Sequence, residues 1–229
     1  LRAANDLRRQ AQEILAGMEG CELEAIEWRA GTFILPDGDR LDLGDVIRRF
    51  YGMSGGELLG RGYSGWNTEE PNPVACNPVF WEVGLGAAEV EVDEETGLIH
   101  LKRYASVADV GKAINPMLCE GQEAGAFLMG LGHTLFEEIV WRDGQLANAN
   151  LIDYRVPCFT DLPDEFLSCL VENQDGPGPF GARGMGEGAL VPVAPAIAAA
   201  VARTCGIRIH DLPLTPERVW RHLQSRKSG

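Results

Sequence analysis

The sequence predicts an α+β protein in which mixed β-sheets pack with helices. Three observations carry that reading. Ala88, Val90 and Val92 alternate with Glu89, Glu91 and Asp93, the pattern of a strand with one buried and one wet face. Two apolar runs too long for strands read as helices: one from Pro116 to about Ile139, and an alanine-rich one behind Gly188 with Pro195 near its first turn and Gly206 just past its end. Upstream, helix-like and strand-like segments follow one another within the first 52 residues.

Taken in order, residues 2–16 carry Leu7, Ala11, Ile14 and Leu15 on one helical stripe, with Gly17 as the expected stop. Leu23–Trp28 and Thr32–Leu35 predict a β-hairpin turning at Ala30-Gly31, and Asp37-Gly38-Asp39 predicts another turn. Val46, Ile47 and Phe50 predict a short helix closed by Gly52. Gly52 to Trp81 is irregular and rich in Gly, Pro and Asn. Within it Gly60-Arg61-Gly62-Tyr63-Ser64-Gly65 matches GxGxxG formally. A dinucleotide site needs a strand before that motif and a helix after it, and Pro71 forbids the helix. The Rossmann reading is rejected.

After the alternating strand, Asp93 to Gly97 forms a turn and a second strand runs from about Leu98 to Val107. Asn115 is the expected N-cap, and Pro116 the first residue, of a helix continuing to EEI at 137–139. Ala124, Phe127, Leu128, Leu131 and Leu135 form its core stripe. Gly121, Gly125, Gly130 and Gly132 each cost helix stability of roughly 1 kcal/mol relative to alanine. They predict close approach of another backbone or of a flat ligand. Gln122 beside them is placed to hydrogen-bond that ligand, its alternative being an exposed polar position; His133 reads as a packing residue. A turn is expected at Arg142-Asp143-Gly144, an irregular stretch from Leu146 to Phe159, a strand at Glu165–Val171, and a last helix at Thr215–Gln224.

The stretch richest in chemistry is DGPGPFGARGMGEG, Asp175 to Gly188, which leads into the alanine-rich helix closed by Gly206. Glycines let a backbone approach a ligand closely and present N–H groups to it, and a helix behind the loop favours an anion. Glu187 between Gly186 and Gly188, among apolar neighbours and with Arg183 as its one basic neighbour, is a candidate general base. The alternative is a surface turn with Glu187 solvated.

Composition narrows the function. At 229 residues, 45% apolar and 7% aromatic, the chain is globular, long enough for one core or two lobes. A net charge of −14 excludes a nucleic-acid surface. No apolar run reaches the roughly 20 residues of a membrane span. The 6 cysteines and 4 histidines are dispersed without CxxC pairs, which fits reduced thiols in a cytoplasmic protein. It also implies that any metal arrives on a cofactor. The start at Leu1, inside a helix-like segment, suggests a piece of a larger polypeptide.

AAEVEVDEETG (87–97), RYASVADVGKAINP (103–116), EGQEAGAFLMGLGHTLFEE (120–138), NANLIDYRVP (148–157), GPFGARGMGEG (178–188) and LPLTPERV (212–219) occur in that order. Together they resemble the C-terminal half of the molybdenum-binding subunit of the molybdenum hydroxylases. That family includes xanthine dehydrogenase, aldehyde oxidoreductases and the large subunit of aerobic carbon monoxide dehydrogenase. The resemblance is dense from Phe80 to Val219 and looser before it.

It implies the second molybdopterin-binding domain of the xanthine dehydrogenase type, with possible sub-lobes at 1–80 and 81–229 and the upstream half of the region missing. It implies that Glu187 is the catalytic glutamate, that Gln122 hydrogen-bonds the pterin, and that Gly184, Met185 and Gly186 line the cofactor. The cofactor would be molybdenum-molybdopterin, in the cytosine dinucleotide form, with FAD and 2Fe-2S centres on partner domains or subunits. The other half of the subunit, iron–sulfur and flavin subunits, and a small-molecule substrate would be its partners, in a homo-oligomeric complex. The substrate would be an aldehyde, an N-heterocycle or a carbon monoxide-like molecule. The sequence departs from the family at Gly188-Ala189, where Pro-Pro or Ser-Pro is frequent, and at Arg183, where lysine is common. The competing reading is a non-catalytic cofactor-binding or assembly module of the same fold.

Overall fold

The computed structural model describes residues 1–52, 56–65 and 78–228. The chain forms two compact units, Leu1–Asn77 and Pro78–Gly229. The α+β expectation holds: helices alternate with a three-stranded antiparallel sheet in the first unit and pack on a mixed three-stranded sheet in the second.

In the first unit, α1 (Arg2–Glu19) buries Ala11 and Leu15. It runs through Gly17, the expected stop, because Gly20 with φ 64° is the residue that can adopt the left-handed cap. The hairpin forms as expected but with shorter strands, β1 (Glu27–Arg29) and β2 (Thr32–Ile34), and a 3₁₀ turn takes Leu23–Ala25. Ala30 and Gly31 both have positive φ, the geometry of a two-residue turn matching strand twist. A third strand, β3 (Arg40–Leu41), pairs with β2. Then α2 (Leu43–Tyr51) begins at a capping box in which Asp42 and Asp45 each accept from the other's backbone N–H. Phe33, Leu35, Leu41 and Val46 join Ala11 and Leu15 in the unit's core.

The GxGxxG stretch has no regular structure, as expected, and its glycines serve packing. A Cβ on Gly60 or Gly62 would lie 2.2 Å from Ala3 O or 2.4 Å from Ala3 N, so the loop crosses closely over the first turn of α1. Arg61 N donates to Asp6 Oδ2 at 2.9 Å, and that bond, with help from Gln10, holds the Asp6 carboxyl below its usual range. Residues 53–55 and 66–77 of the expected irregular segment lie outside the described residues.

In the second unit β4 (Gly84–Val92) and β5 (Ile99–Gly111) form a long antiparallel pair. The turn between them follows from Asp93, whose carboxylate accepts from Glu95 N and Thr96 Oγ1, and from Gly97 at φ 77°. A Cβ at Gly97 would meet Pro216 O, which fixes the seat of the last helix. β5 continues four residues past the expected end at Val107.

Next come α3 (Pro116–Leu135), the small hairpin β6 (Trp141–Arg142) and β7 (Gln145–Leu146), and β8 (Glu165–Glu172), which pairs parallel to β5. Parallel pairing needs a long crossover, supplied by α3 and the segment after it. Asn115 caps α3 through Leu118 N at 3.2 Å, as its position predicts, but the helix stops at Leu135, short of EEI. The alanine-rich helix α4 (Val193–Cys205) ends at Gly206, and α5 (Pro216–Ser228) starts after Thr215, whose Oγ1 accepts from Arg218 N. The apolar stretch 188–205 has the length and composition of a membrane span. Its continuous α-helix is only 13 residues, about 20 Å at 1.5 Å per residue. Val193, Ile197, Val201 and Cys205 are buried in the core.

That core lies between one face of the β4–β5–β8 sheet and the helices. Tyr104, Phe127 and Phe166 cluster at its centre, with ring centroids 4.5 Å apart for Tyr104–Phe127 and 4.9 Å for Phe127–Phe166. The α3 stripe is broader than the apolar positions indicate, because Glu123 is 1% exposed. Ser106 Oγ, itself buried, donates to Glu123 Oε2 at 2.5 Å. The nearby Tyr104 hydroxyl is buried with no hydrogen-bond partner among the described residues. Burial first, and then the Glu123 charge, push its pKa up to about 12.

These two hydroxyls predict opposite outcomes. Ser106→Ala strips the donor from a buried carboxyl and lowers unfolding free energy by about 1–3 kcal/mol. Tyr104→Phe removes an unpaired hydroxyl and leaves stability equal or higher. Urea unfolding of the two variants of the chain measures both.

Candidate functional site

The loop after β8 is built onto the end of β5. Gly111, at φ 61°, turns the strand, and a Cβ there would lie 2.1 Å from Gly181 O. Only glycine lets these two backbones meet. Gly111 and Ala182 form an antiparallel bridge, Arg183 N donates to Val110 O at 3.0 Å and Lys112 N to Gly181 O at 3.1 Å. Within the loop, Gly176 N bonds Gly181 O and Gly178 N bonds Ala182 O. The glycine loop is thus anchored to the end of β5 by an isolated bridge and flanking main-chain bonds rather than being a free turn.

Side chains lock the same junction. Asp109 accepts from Gly111 N at 3.1 Å and from Asn173 Nδ2 at 2.9 Å through Oδ1, while its Oδ2 lies 3.1 Å from Arg183 Nη1. Arg183 also donates to Trp81 O. Glu172 accepts from Lys112 Nζ at 2.8 Å and from Ala113 N at 2.9 Å, and those bonds hold its carboxyl below the usual range. Sequence reading missed Asp109, Asn173 and Glu172. The available signal was a polar residue at the C-terminal end of each strand, Asp109 for β5 and Glu172-Asn173 for β8.

Beside this junction lies a pocket of about 230 Å³ between the N-terminal turns of α3 and the loop. Gln122 and Met185 both line it, together with Leu118, Asn115, Lys112 and Arg183. Gln122 is exposed and makes no hydrogen bond among the described residues, so its amide is uncommitted. Gly184 packs beneath Phe80, with an added Cβ only 2.9 Å from the ring, whereas Gly186 faces open space. Glu187 follows at φ −112°, ψ 9°, and its carbonyl accepts from Leu190 N in the 3₁₀ turn that leads into α4.

Four expectations are corrected here. Glu187 does not sit among apolar neighbours: it is exposed and does not line the pocket that holds Gln122 and Met185. Arg183 is not its partner, because Asp109 takes that guanidinium. The four helix glycines divide into two kinds. Gly130 receives Val193 and Leu190 O, and Gly132 receives the side chains of Glu137 and Pro157; a Cβ at Gly121 or Gly125 meets nothing within 4 Å. His133 is exposed rather than packed. Among the described residues no group of three or more His, Cys, Asp or Glu side chains could hold a metal ion directly.

The arrangement suits a ligand with a flat, polar body. One wall is α3 at Asn115, Leu118 and Gln122, whose amide has no partner among the described residues; the other is the loop at 182–185, whose backbone is bonded to β5 at Arg183. Gly121 and Gly125 leave open space on α3 outside that lining. The residues present fit a pterin cofactor on these grounds.

Comparison with known proteins agrees. The family model for the molybdopterin cofactor-binding domain matches residues 1–163, a span that includes Gln122 and ends before the glycine loop. The chain is 34% identical over 188 residues to the xanthine dehydrogenase molybdenum-binding subunit of Escherichia coli O157:H7, covering 81% of this chain and 24% of that protein. The crystal structure of quinoline 2-oxidoreductase from Pseudomonas putida 86 superimposes with a TM-score of 0.75 at 27% identity, over 97% of this chain and 29% of that one. Carbon monoxide dehydrogenase from Oligotropha carboxidovorans, at 20% identity, shares the fold with a TM-score of 0.79 over 98% of this chain and 28% of its own. The chain therefore spans less than a third of the length of these relatives. It belongs to the molybdopterin cofactor-binding domain family of the molybdenum hydroxylases.

Proposed function

We propose that this chain is the C-terminal molybdopterin-binding portion of a molybdenum-dependent oxidoreductase and that Glu187 is its catalytic base. The observation that carries the reading is the shared pocket of Gln122 and Met185, with Glu187 two residues beyond Met185 on the same loop. Gln122, through its free amide, and the backbone of Gly184, Met185 and Gly186 would hold the cofactor. Bound there, molybdenum-molybdopterin supplies a metal centre that takes up two electrons from substrate.

Each residue of this chain then has a defined task. The β5 junction anchors the loop through Arg183, four residues before Glu187, which limits how far Glu187 must be repositioned. The Glu187 carboxylate, which has no partner among the described residues, accepts a proton during oxidation or hydroxylation of an aldehyde, an N-heterocycle or a carbon monoxide-like substrate. Its exposure in this chain is consistent with a surface that the remainder of a larger subunit covers. The cofactor is read as the cytosine dinucleotide form. FAD and 2Fe-2S centres belong to partner domains or subunits in a homo-oligomeric, cytoplasmic complex that includes the N-terminal half of the molybdenum-binding subunit. The same exposure also favours a second reading, a cofactor-binding or assembly module in which Glu187 is a solvated loop residue.

The two readings part on Glu187→Gln in the assembled enzyme. The base reading predicts normal molybdenum content and a loss of about 10²–10⁴ in single-turnover reduction of the metal by substrate. Wild-type reduction by the fully loaded variant would leave only the assembly reading. Cofactor seating is tested separately by Gly125→Leu. Because a Cβ there meets nothing within 4 Å, the chain should be equally stable, or more stable by up to about 1 kcal/mol. Molybdenum content of the assembled enzyme should nonetheless fall. Full occupancy would remove α3's bare face from the cofactor site.

A further inference from the structure

Within the second unit, α3 and α4 pack on one face of the β4–β5–β8 sheet. On that inner face Leu101, Tyr104, Ala108 and Val110 of β5 are buried. The side chains that alternate with them point the other way. Pairing places Leu85 of β4 opposite Val107, Ala105 opposite Leu167, and Asp109 opposite Val171. Leu85 is 67% exposed, Leu167 51% and Val171 44%, and Val83, just ahead of β4, is 53% exposed. Towards the other end the same face turns ionic: Arg103 lies 3.5 Å from Glu89 and 3.3 Å from Glu165, and Glu91 is exposed beyond them. A sheet face that meets water ordinarily carries polar residues throughout. Here that holds for one half only.

The apolar half lies at the end of β5 that carries Gly111 and the glycine loop. We infer that it is an interface, covered by the part of a molybdenum-binding subunit outside the matched span, through a surface with an apolar centre and Lys or Arg at its margin. The inference rests on the reading of this chain as a portion of such a subunit. Two observations select that occupant. The chain covers 24% of the molybdenum-binding subunit it matches, so the relative carries far more polypeptide than this span. The margin of the face holds Glu89, Glu91 and Glu165 against Arg103, within a chain of net charge −14. A second copy would set that acidic margin against itself, whereas a basic rim complements it. An apolar patch rimmed by charge is the usual mark of an interaction surface.

Cys169 gives a probe that needs no substitution. It is exposed and pairs with Val107 in the middle of the apolar half. The experiment is N-ethylmaleimide labelling, followed by peptide mass spectrometry, of the isolated chain and of the assembled molybdenum enzyme. The expected result is ready labelling of Cys169 in the isolated chain and protection by more than about tenfold in the enzyme. Leu167→Lys, at a half-exposed position, should leave the unfolding midpoint of the isolated chain unchanged and abolish co-assembly.

Equal labelling in both states overturns the interface. Protection in the isolated chain that is lost on dilution assigns the face to a second copy, and protection that survives dilution also overturns the proposal. An assembled enzyme that lacks molybdenum while Cys169 is protected contradicts the functional reading instead, so the two failures are distinguishable.

Discussion

The structure of the site depends on how β5 ends. A strand paired on both sides is the stiffest element available to a small domain, and β5 pairs with β4 up to Ala108 and with β8 from Arg103 to Gly111, so its middle is held from both sides. At Gly111 the strand accepts a third neighbour, the loop at 181–183, through main-chain bonds that no side chain could be allowed to obstruct. Asp109 then ties three separate segments to that end: its own turn at Gly111, Asn173 after β8, and Arg183 in the loop. A carboxylate with that many donors is fixed in place, and so is whatever the donors carry. The positions of Met185, Gly186 and Glu187 follow from it, each within four residues of Arg183.

The second support is the contact between α3 and the start of α4. Gly130 admits Val193 and Leu190 O, so the segment that follows Glu187 lies directly on α3, the helix that carries Gln122. One glycine thereby relates the two halves of the pocket to each other. Gly125 and Gly121, 5 and 9 residues nearer the N-terminus, make no such contact and leave α3 bare beside Gln122.

Much of this was legible in the residues. Alternation at 88–93, the Asn115-Pro116 start and the Gly206 stop each report a local rule that tertiary packing reinforced, and β4, α3 and α4 formed accordingly. Gly17 misled because a glycine is a tolerable interior residue when a better left-handed cap, Gly20, follows three residues later. The length of β5 was hidden because its last residues are held by the glycine loop, some 70 positions away. Glu123 was invisible for another reason: an apolar stripe is counted from apolar residues, and a carboxylate joins it only when a partner such as Ser106 waits on a different element. The candidate site residues were found as a motif, but their surroundings were not. Which residue Arg183 pairs with, and whether Glu187 is covered, are tertiary facts.

The central claim is that this loop brings Glu187 to the metal. Locating molybdenum by anomalous scattering in a crystal structure of the assembled enzyme tests it most directly. The account predicts a peak beside the loop at 184–187, with Glu187 as the nearest carboxylate of this chain and Gln122 on the same cofactor. A peak whose nearest carboxylate is Glu82, which packs against Gly188, or Glu172, which caps Lys112, would contradict it.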